Sequence, residues 1–387
     1  MTGAKGTQTM DSTERKWGGD AQSNFHGEDQ SRSTKKAKGT FREAEIIHLQ
    51  RAGVEFVGRS AELKSLFNSV KAKRKNLRVM LVLGDKYSFT KLELKRLEKK
   101  FDILRFINYT GKCAEDVLSE LSPYFSSGNI NTVVLNAREN VADELIRFLT
   151  KLQYEKQIKY ISIESFLEKY LHKCYVPSSN NDLHLIGDIR PYTWWQYGLK
   201  RCVDMSSVVL MLLIFLPVIL MSKKRLKAES PGSVFYSQKR LGKNNKEFSC
   251  VKFRSMRLDA EKDGVQFACK NDPRIFPWGE VMRKTRLDEL PQLINILKGD
   301  MHLIGPRPER KHWTEQFEKA IPYYSERHLV SPGVTGWAQV MYPYGADKDD
   351  AKQKLMYDLY YMKHWSVALE LQIIWLTALI IFGGKGL

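Results

Sequence analysis

The sequence predicts an open α/β sheet of the doubly wound type, followed by an α+β domain that lies on a membrane. Two observations predict this division. From residue 55 to about residue 174, short apolar runs alternate with helical patterns, which is typical of parallel strands joined by helices. Further along, Met205 to Ser222 contain no charge over about eighteen residues, barely the length of a bilayer-spanning helix.

Composition narrows the class of partner. The chain has 387 residues, is 43% hydrophobic and carries a formal net charge of +18, which requires an acidic partner such as nucleic acid, anionic lipid or a phosphorylated small molecule. Its five cysteines are scattered and form no CxxC pair, which argues against a disulfide framework or a zinc site and favours a reduced, cytosolic setting. The start of the chain lacks an apolar segment, so we expect no secretory signal.

The N-terminal half contains a tail and the α/β domain. Residues 1–45 have almost no aliphatic side chains and are predicted to be disordered. Residues 55–174 form the predicted α/β domain. Its predicted strands are Arg78 to Leu83, Ile103 to Ile107, Thr132 to Leu135 and Tyr160 to Ile163, and its predicted helices are Thr90 to Lys100, Ala114 to Tyr124 and Val141 to Tyr154. The first strand is not followed by a glycine-rich fingerprint, so a structural or regulatory role is favoured over a cofactor site.

A linker at residues 175–192 leads to the second domain, residues 193–387. Trp194, Trp195 and Tyr197 precede the uncharged run and indicate anchoring at a membrane interface. Basic residues flank the run on both sides, and Pro217 lies within it, where proline breaks or bends a helix. We therefore expect residues 201–222 to enter and leave the membrane by the cytoplasmic face. The alternative is a buried core helix of a soluble protein.

The segments after residue 222 contain the residues that we expect to take part in a reaction. Residues 230–256 predict two strands around a polar turn, and residues 367–382 predict an amphipathic helix lying in the interface. Between them, Asp288 and Glu289 stand among Arg283, Lys284 and Arg286. Such carboxylates can coordinate Mg²⁺ or attack phosphorus, although neighbouring acids at a helix start are also common as favourable charges near the helix dipole.

From about Lys200 to the C-terminus, the sequence resembles the bacterial sugar transferases, which are polyprenol-phosphate glycosyl-1-phosphate transferases. The similarity rests on LDELPQLINILKGDMHLIGPRP, on SQKRLGKNNKEFSCVKFRSM, on Asp272-Pro273-Arg274 and on PGVTGWAQV. Asn245 stands where the family has glycine, and we expect the turn to survive because asparagine tolerates the left-handed conformation. Longer members of the family carry a Rossmann-like domain before the catalytic part.

The resemblance implies roles for individual residues. It makes Asp288 the nucleophile, and Asp288 or Glu289 a ligand of Mg²⁺. The cations that it assigns to phosphate and nucleotide-sugar binding are Lys252, Arg254, Arg283 and Arg307. Asp358 and Gln238 are expected to support the site, and Arg201, Asp204 and Pro217 match the re-entrant helix of a monotopic protein. His302 replaces a serine and is expected to be a surface or supporting residue rather than a catalytic base.

The implied reaction is transfer of a sugar 1-phosphate from a UDP-sugar to undecaprenyl phosphate, with UMP as the second product. This would begin exopolysaccharide or glycoconjugate assembly at the cytoplasmic face of the bacterial inner membrane, through a covalent aspartyl intermediate and with Mg²⁺. Membrane lipid is a partner in this interpretation and nucleic acid is not. The oligomeric state stays open, and a homo-oligomer is compatible with the sequence. The alternatives are a membrane-bound nucleotide-sugar hydrolase and a non-enzymatic binder of anionic lipid or nucleic acid.

Overall fold

The computed structural model describes residues 78–383, except for residues 110–111, 127–129, 138–140, 178–188, 190–191, 261, 263–271, 343–344 and 346. The predicted tail, residues 1–45, lies outside the described residues, as does most of the predicted linker. The predicted domain boundaries stay predictions.

The first part of the described chain is a four-stranded parallel sheet with the strand order β2-β1-β3-β4. Its strands are β1 (Val79–Leu83), β2 (Ile103–Ile107), β3 (Ile130–Leu135) and β4 (Lys159–Ser162). β1 pairs with both β2 and β3, and every residue of β1 is buried. A strand buried on both faces needs an apolar run without alternation, which is the pattern that the sequence shows at these positions.

Helices cover both faces of this sheet. They are α1 (Lys91–Leu97), α2 (Ala114–Ser126), α3 (Asp143–Lys156) and α4 (Ile163–Phe166), the last continued by a π-helical turn (Leu167–Leu171). Met80 of β1 shares a core with Leu97, whereas its neighbour Leu81 packs with Leu121 in a second core. The predicted parallel α/β sheet is confirmed, and its likeness to a Rossmann-type domain stays a prediction.

A single long helix, α5 (Trp194–Glu229), follows and begins with a capping box between Thr193 and Gln196. It is the one helix in the described part of the chain that is long and apolar enough to cross a membrane. We expected Pro217 to break or bend this run, but the helix continues through it without a break. One proline removes a single main-chain donor, and the helix can keep its remaining hydrogen bonds while bending. The re-entrant path stays a prediction.

The predicted β-hairpin comes next. β5 (Phe235–Leu241) and β6 (Glu247–Phe253) are antiparallel and are joined by a short 3₁₀ turn (Lys243–Asn245). Asn244 and Asn245 both have positive φ, at 54° and 59°. Asparagine therefore takes the left-handed turn position where the family has glycine, as the sequence predicts.

The remaining elements surround this hairpin. They are α6 (Pro277–Thr285), a 3₁₀ helix (Leu287–Gln292), α7 (Leu293–Lys298), β7 (His302–Ile304), α8 (Lys311–Ala320), a second 3₁₀ helix (Tyr324–Leu329), β8 (Gly333–Thr335), α9 (Trp337–Met341), α10 (Lys348–Lys363) and α11 (Val367–Phe382). β7 and β8 form a parallel pair. The helix predicted at residues 367–382 is confirmed with the same bounds.

Both apolar helices, α5 and α11, present large hydrophobic side chains to the surroundings. Leu213 and Leu220 are exposed on α5, and Trp375 and Leu379 are exposed on α11. Contiguous apolar surface of this kind marks an interaction with a membrane or a partner. Both ends of α5 are nevertheless held by the part of the chain that follows it.

Candidate active site

The segment that carries Asp288 and Glu289 lies at a sharp change of direction between two helices. α6 ends at Arg286, which has a positive φ of 60°, and the 3₁₀ helix that carries Asp288 and Glu289 begins directly after it. α7 then ends at Gly299 with a φ of 84°, the left-handed position that glycine occupies most easily. The side chain of Asn295 fixes α7 to β6 by accepting from the amide of Val251 at 3.0 Å and donating to the carbonyl of Ser249 at 2.8 Å. Asp288 and Glu289 are therefore held on a rigid support.

Glu289 is the centre of a charge cluster. Its Oε1 atom lies 3.0 Å from Lys252 Nζ, 3.0 Å from Arg307 Nη2 and 3.7 Å from Arg286 Nη1. Burial alone would raise the pKa of Glu289, but these three cations outweigh it and hold the pKa well below its usual range. Glu289 is thus ionised at neutral pH and fixes the position of the cations around it.

Asp288 has the opposite environment, although it is the adjacent residue. Burial, with help from the negative charge of Glu289, raises the pKa of Asp288 against the pull of nearby cations, Lys252 first and then Arg283 and Arg286. Its Oδ1 atom is buried and has no hydrogen-bond partner. Two neighbouring carboxyl groups whose pKa values move in opposite directions divide their work, one holding charge in place and the other reacting.

Arg307 joins the cluster from a different part of the chain. It lies in the Gly305-Pro306-Arg307-Pro308 turn after β7, where the backbones pack closely. A Cβ atom on Gly305 would lie 2.7 Å from the carbonyl oxygen of Ser331, so this position requires glycine. The carbonyl oxygen of Arg307 accepts a hydrogen bond of 3.0 Å from Arg327. The turn is consequently held on both sides while the guanidinium group reaches Glu289.

Asp358 supports this arrangement through Arg327. Arg327 Nη2 donates to Asp358 Oδ2 at 2.9 Å, and both side chains are buried. Burial raises the pKa of Asp358 to about 6, with Arg327 opposing the shift. Sequence reasoning found Asp358 but missed Arg327, because an isolated arginine in a polar 3₁₀ segment gives no local signal.

Two other predicted residues have contacts away from Asp288. The terminal nitrogens of Arg254 donate to the carbonyl oxygens of Pro231 at 2.9 Å and Ser230 at 2.5 Å, at the end of α5, while its buried Nε has no partner. Gln238 accepts a hydrogen bond of 2.6 Å from Arg240. Their proposed roles at the substrate stay predictions.

Arg283 lies on the last turn of α6, and its Nε atom is buried without a hydrogen-bond partner. Because its charge lowers the pKa of Asp288, this guanidinium group is close enough to act on that carboxyl group. Two unsatisfied polar atoms of opposite character, Arg283 Nε and Asp288 Oδ1, are expensive to bury and indicate a site prepared for a ligand.

A small cavity lies beside the cluster and is lined by Arg240, Cys250, Lys252, Gln292, Arg307 and Pro308. Its volume is about 10 Å³, room for roughly one water molecule. Three cationic side chains line it, which favours an oxyanion.

The start of α5 is bonded directly to the catalytic stretch. Asp204 accepts from the amide of Leu303 at 2.8 Å and pairs with His302 Nδ1 at 2.5 Å, while Arg201 donates to the carbonyl of Ile296 at 3.0 Å. Lys200 donates to the carbonyl of Ile304 and to the carboxylate of Glu370. His302 is buried, so its predicted surface alternative is wrong and its supporting alternative agrees with the structure.

The end of α5 is bonded to the same body. Glu229 Oε2 accepts a hydrogen bond of 2.8 Å from the amide of Trp278, and Arg225 lies over the ring of Trp278. Between the two ends, Phe215 and Ile219 pack against the core that contains Leu290. Both ends of α5 are therefore fixed to the part of the chain that follows it.

Asp288 and Glu289 differ in how well they fit the predicted Mg²⁺. The unpartnered Oδ1 atom of Asp288 fits a divalent cation, because an orphaned carboxylate oxygen is the ligand that Mg²⁺ prefers. Oε1 of Glu289 is already shared among cations. Within the described ranges, no three His, Cys, Asp or Glu side chains form a metal-binding group, so substrate oxygens would have to complete the coordination.

The sequence of this region is similar to those of known proteins. The family model described as bacterial sugar transferase matches residues 195–384. A UDP-N-acetylgalactosamine-undecaprenyl-phosphate N-acetylgalactosaminephosphotransferase of Aeromonas hydrophila is 44% identical over 201 residues, which are 52% of this chain and 47% of that protein. A UDP-glucose:undecaprenyl-phosphate glucose-1-phosphate transferase of Xanthomonas campestris pv. campestris is 41% identical over 48% of this chain and 39% of its own length.

A shorter relative matches over nearly its whole length. The exopolysaccharide production protein PSS of Rhizobium leguminosarum bv. phaseoli is 39% identical over 195 residues, which are 49% of this chain and 98% of that protein. By contrast, the chain spans about half or less of the length of the Aeromonas and Xanthomonas relatives. The matched region contains α5, the charge cluster and α11, and it begins after the α/β sheet.

Proposed function

The chain belongs to the bacterial sugar transferase family, and we propose that it transfers a sugar 1-phosphate from a nucleotide diphosphate sugar to undecaprenyl phosphate. The donor is a UDP-sugar, and the products are the undecaprenyl-diphosphate sugar and UMP. The observation that carries this proposal is the buried, unpartnered Oδ1 atom of Asp288 within a group of cations that Glu289 holds in place. The activities of the Aeromonas and Xanthomonas relatives agree with it in acceptor and reaction type.

The first step forms a bond between Asp288 and phosphorus. A carboxylate oxygen of Asp288 attacks the sugar-bearing phosphorus, and the bond between that phosphorus and the bridging oxygen of the diphosphate breaks. The electron pair of the broken bond leaves with UMP. Lys252, Arg283 and Arg307 stabilise the charge that moves onto the phosphoryl oxygens and the leaving group.

The second step restores the enzyme. An oxygen of the lipid phosphate attacks the same phosphorus, and the bond to Asp288 breaks with return of its electron pair to the carboxylate. The sugar 1-phosphate thereby passes to the lipid. Two successive displacements suit this pair of substrates, because the water-soluble donor and the membrane-embedded acceptor need not be bound together.

The cofactor in this proposal is Mg²⁺, with Asp288 as the protein ligand that the geometry favours over Glu289. When bound, the metal ion would neutralise charge on the diphosphate. The task of Glu289 is electrostatic: it keeps Lys252 and Arg307 in position before substrate arrives, so that less reorganisation is needed during the reaction.

A one-sided membrane placement supports access to the acceptor. Both ends of α5 are bonded to the catalytic body, through Asp204 at one end and Glu229 at the other. The exposed apolar surface of α5 and α11 would then enter the membrane from the cytoplasmic face of the inner membrane and leave by the same face. The site would lie near the depth of lipid headgroups, where the acceptor phosphate is found.

The test is UMP release by the full chain in detergent, with Mg²⁺ and a panel of UDP-sugars, in the presence and absence of undecaprenyl phosphate. Release that requires the lipid supports the transferase and identifies the sugar. Release without lipid would instead indicate a nucleotide-sugar hydrolase. No release from any donor would overturn the proposed reaction for UDP-sugars. The Asp288→Asn variant serves as the control for contaminating activity.

A further inference from the structure

At the carboxyl ends of β1 and β3, the described residues of the α/β sheet bind one another. In open α/β sheets, ligands bind beyond the carboxyl ends of the strands, where neighbouring connections diverge, which here is between β1 and β3. At this point the side chain of Asn136 donates to the carbonyls of Gly84 and Tyr87 at 3.0 and 2.9 Å, and it accepts from the amide of Tyr87 at 2.8 Å. A Cβ atom on Gly84 would lie 2.5 Å from the carbonyl oxygen of Asn136. Among the described residues at this edge, Asn136 therefore binds the main chain of Tyr87.

Tyr87 faces the second predicted domain, residues 193–387, which is called the catalytic half below. Its hydroxyl oxygen accepts hydrogen bonds from Lys173 Nζ at 2.5 Å and from Gln353 Nε2, on α10, at 3.2 Å. Lys173 also pairs with Glu93, and both of these charged side chains are buried. A buried ion pair stabilises little by itself but is costly to break, so it fixes Lys173 within the α/β domain. From that position, Lys173 Nζ donates to Gln353 Oε1 on α10 at 2.7 Å. The sheet and α10 are thus held in one relative position.

Arg96 extends this contact toward the catalytic site. It lies on α1, and its guanidinium group reaches two elements of the catalytic half at once. Nη1 donates to the hydroxyl oxygen of Tyr357 on α10 at 2.9 Å, and Nη2 donates to the carbonyl oxygen of Met341 at the end of α9. A planar, forked donor of this kind fixes two partners relative to each other.

The next residue on α10 after Tyr357 is Asp358. From there, hydrogen bonds run from Arg327 to Asp358, from Arg327 to the carbonyl of Arg307, and from Arg307 to Glu289. α10 therefore contacts Arg96 of the α/β domain through Tyr357, and it supports Arg327 through Asp358.

We propose that the α/β sheet is a positioning element of the active site and that Arg96 is its positioning residue. By fixing α10 and the end of α9, Arg96 keeps Asp358, Arg327 and Arg307 in the arrangement that places a cation on Glu289. The kinetic part of this inference rests on the proposed transferase function. Its structural part does not, because it concerns the mobility of the Arg307 turn.

The experiment compares full-length wild type with Arg96→Met and Tyr357→Phe, both of which remove a contact without removing much volume. Hydrogen exchange of residues 305–310 is measured first, since it requires no activity. We expect faster exchange in both variants. The matched control is Lys100→Met, because Lys100 is another partly buried cation of the same domain and donates to the carbonyl of Tyr170 inside it at 2.9 Å. Unchanged exchange in the Arg96 variant, or an equal change in the control, would overturn the inference.

Turnover is measured next, on folded protein whose melting curve matches that of wild type. We expect kcat to fall about tenfold in Arg96→Met with little change in KM for the donor, because misplaced cations weaken the transition state more than they weaken binding. Arg96→Lys should recover part of the loss. In a double-mutant cycle with Asp358→Asn, the two losses in kcat should be less than additive. Additive losses would overturn the role of Arg96 as a positioning residue. A wild type without turnover would count against the proposed function only.

Discussion

Asp288 and Glu289 are adjacent and almost equally buried, at 8% and 7% exposure, yet their carboxyl groups are held in opposite ways. Glu289 accepts hydrogen bonds from Lys252 and Arg307, whereas Asp288 keeps one buried oxygen without a partner. The 3₁₀ conformation makes this possible, because a turn of three residues directs neighbouring side chains to different surroundings. One carboxylate organises the cations and the other stays available for reaction.

The first prediction concerns the nucleophile. Asp288→Asn should abolish turnover, because an amide cannot form the acyl phosphate, while membrane association stays at the wild-type level. When wild type is incubated with donor alone, mass spectrometry should detect the added phosphosugar on the peptide that contains Asp288. The exposed Asp116→Asn, on α2, is the control and should behave like wild type. Transfer retained by Asp288→Asn would remove the assignment.

The second prediction concerns Glu289. Glu289→Gln should lower kcat/KM about 100-fold, because Lys252 and Arg307 lose the anion that positions them. Loss of the neighbouring charge should also lower the pKa of Asp288, since Glu289 contributes to its raised value.

Steady-state kinetics with the identified donor measures this loss. The control is Glu280→Gln on α6, where an exposed pair with Lys284 contributes little. If Glu289→Gln turned over as fast as that control, the electrostatic role would be excluded.

The third prediction concerns pH and Asp358. Its pKa is about 6 in the folded protein and is expected near 3.8 in the unfolded chain, so the folded state binds the extra proton between these values. The contribution of Asp358 to the free energy of unfolding is therefore fully present below about pH 4 and is lost as the pH rises through 6, by about 3 kcal/mol. Arg327 and Lys354 oppose this shift, and Glu309 adds to it.

The measurement is the difference in melting temperature between wild type and Asp358→Asn from pH 4 to pH 8. Wild type should lose stability relative to the variant as the pH rises to about 6 and then level off. Activity should move the other way, since protonation of Asp358 removes the anion that holds Arg327, and kcat should fall as the pH drops through about 6. A pH-independent difference in melting temperature would contradict the raised pKa.

The fourth prediction concerns the membrane surface of α5. Leu213 is 73% exposed on this helix, and Leu213→Asp should weaken membrane association by about 2.5 to 3.5 kcal/mol if the side chain reaches the hydrocarbon region. Leu258 is 72% exposed but lies outside α5 and α11, so Leu258→Asp is a matched control. Flotation with liposomes separates the two variants. Equal binding of both would show that exposure on α5 does not reflect contact with lipid.

Local pattern predicted a large part of this fold. All four strands of the parallel sheet appear within about two residues of their predicted bounds, because each contains a short apolar run that is visible in the sequence. Only β1 is buried at every position, whereas β2 is mostly half-buried and β4 is exposed at both ends. The hairpin and α11 were equally visible. Pro217 did not decide whether α5 is broken. A proline predicts the loss of one main-chain hydrogen bond, but it does not predict whether the rest of the helix stays intact.

The charge cluster was predictable in its centre and not in its supports. Asp288 and Glu289 lie together in one short segment with neighbouring cations, and the resemblance to the family singled them out. Arg327 was missed, and so was Arg96, whose partner Tyr357 is 261 residues away in the chain. Contacts of this kind depend on how whole elements pack, and no short window of sequence contains both partners.

The two attachments of α5 have a mechanical consequence. A helix joined at one end could tilt about its linker, but α5 is held near both ends by hydrogen bonds of Asp204 and Glu229. The catalytic half and its membrane surface must then rise, sink and rotate together. In the proposed membrane placement, the height of Asp288 above the bilayer is consequently a fixed dimension of the fold, and vertical adjustment during a reaction cycle falls to the lipid.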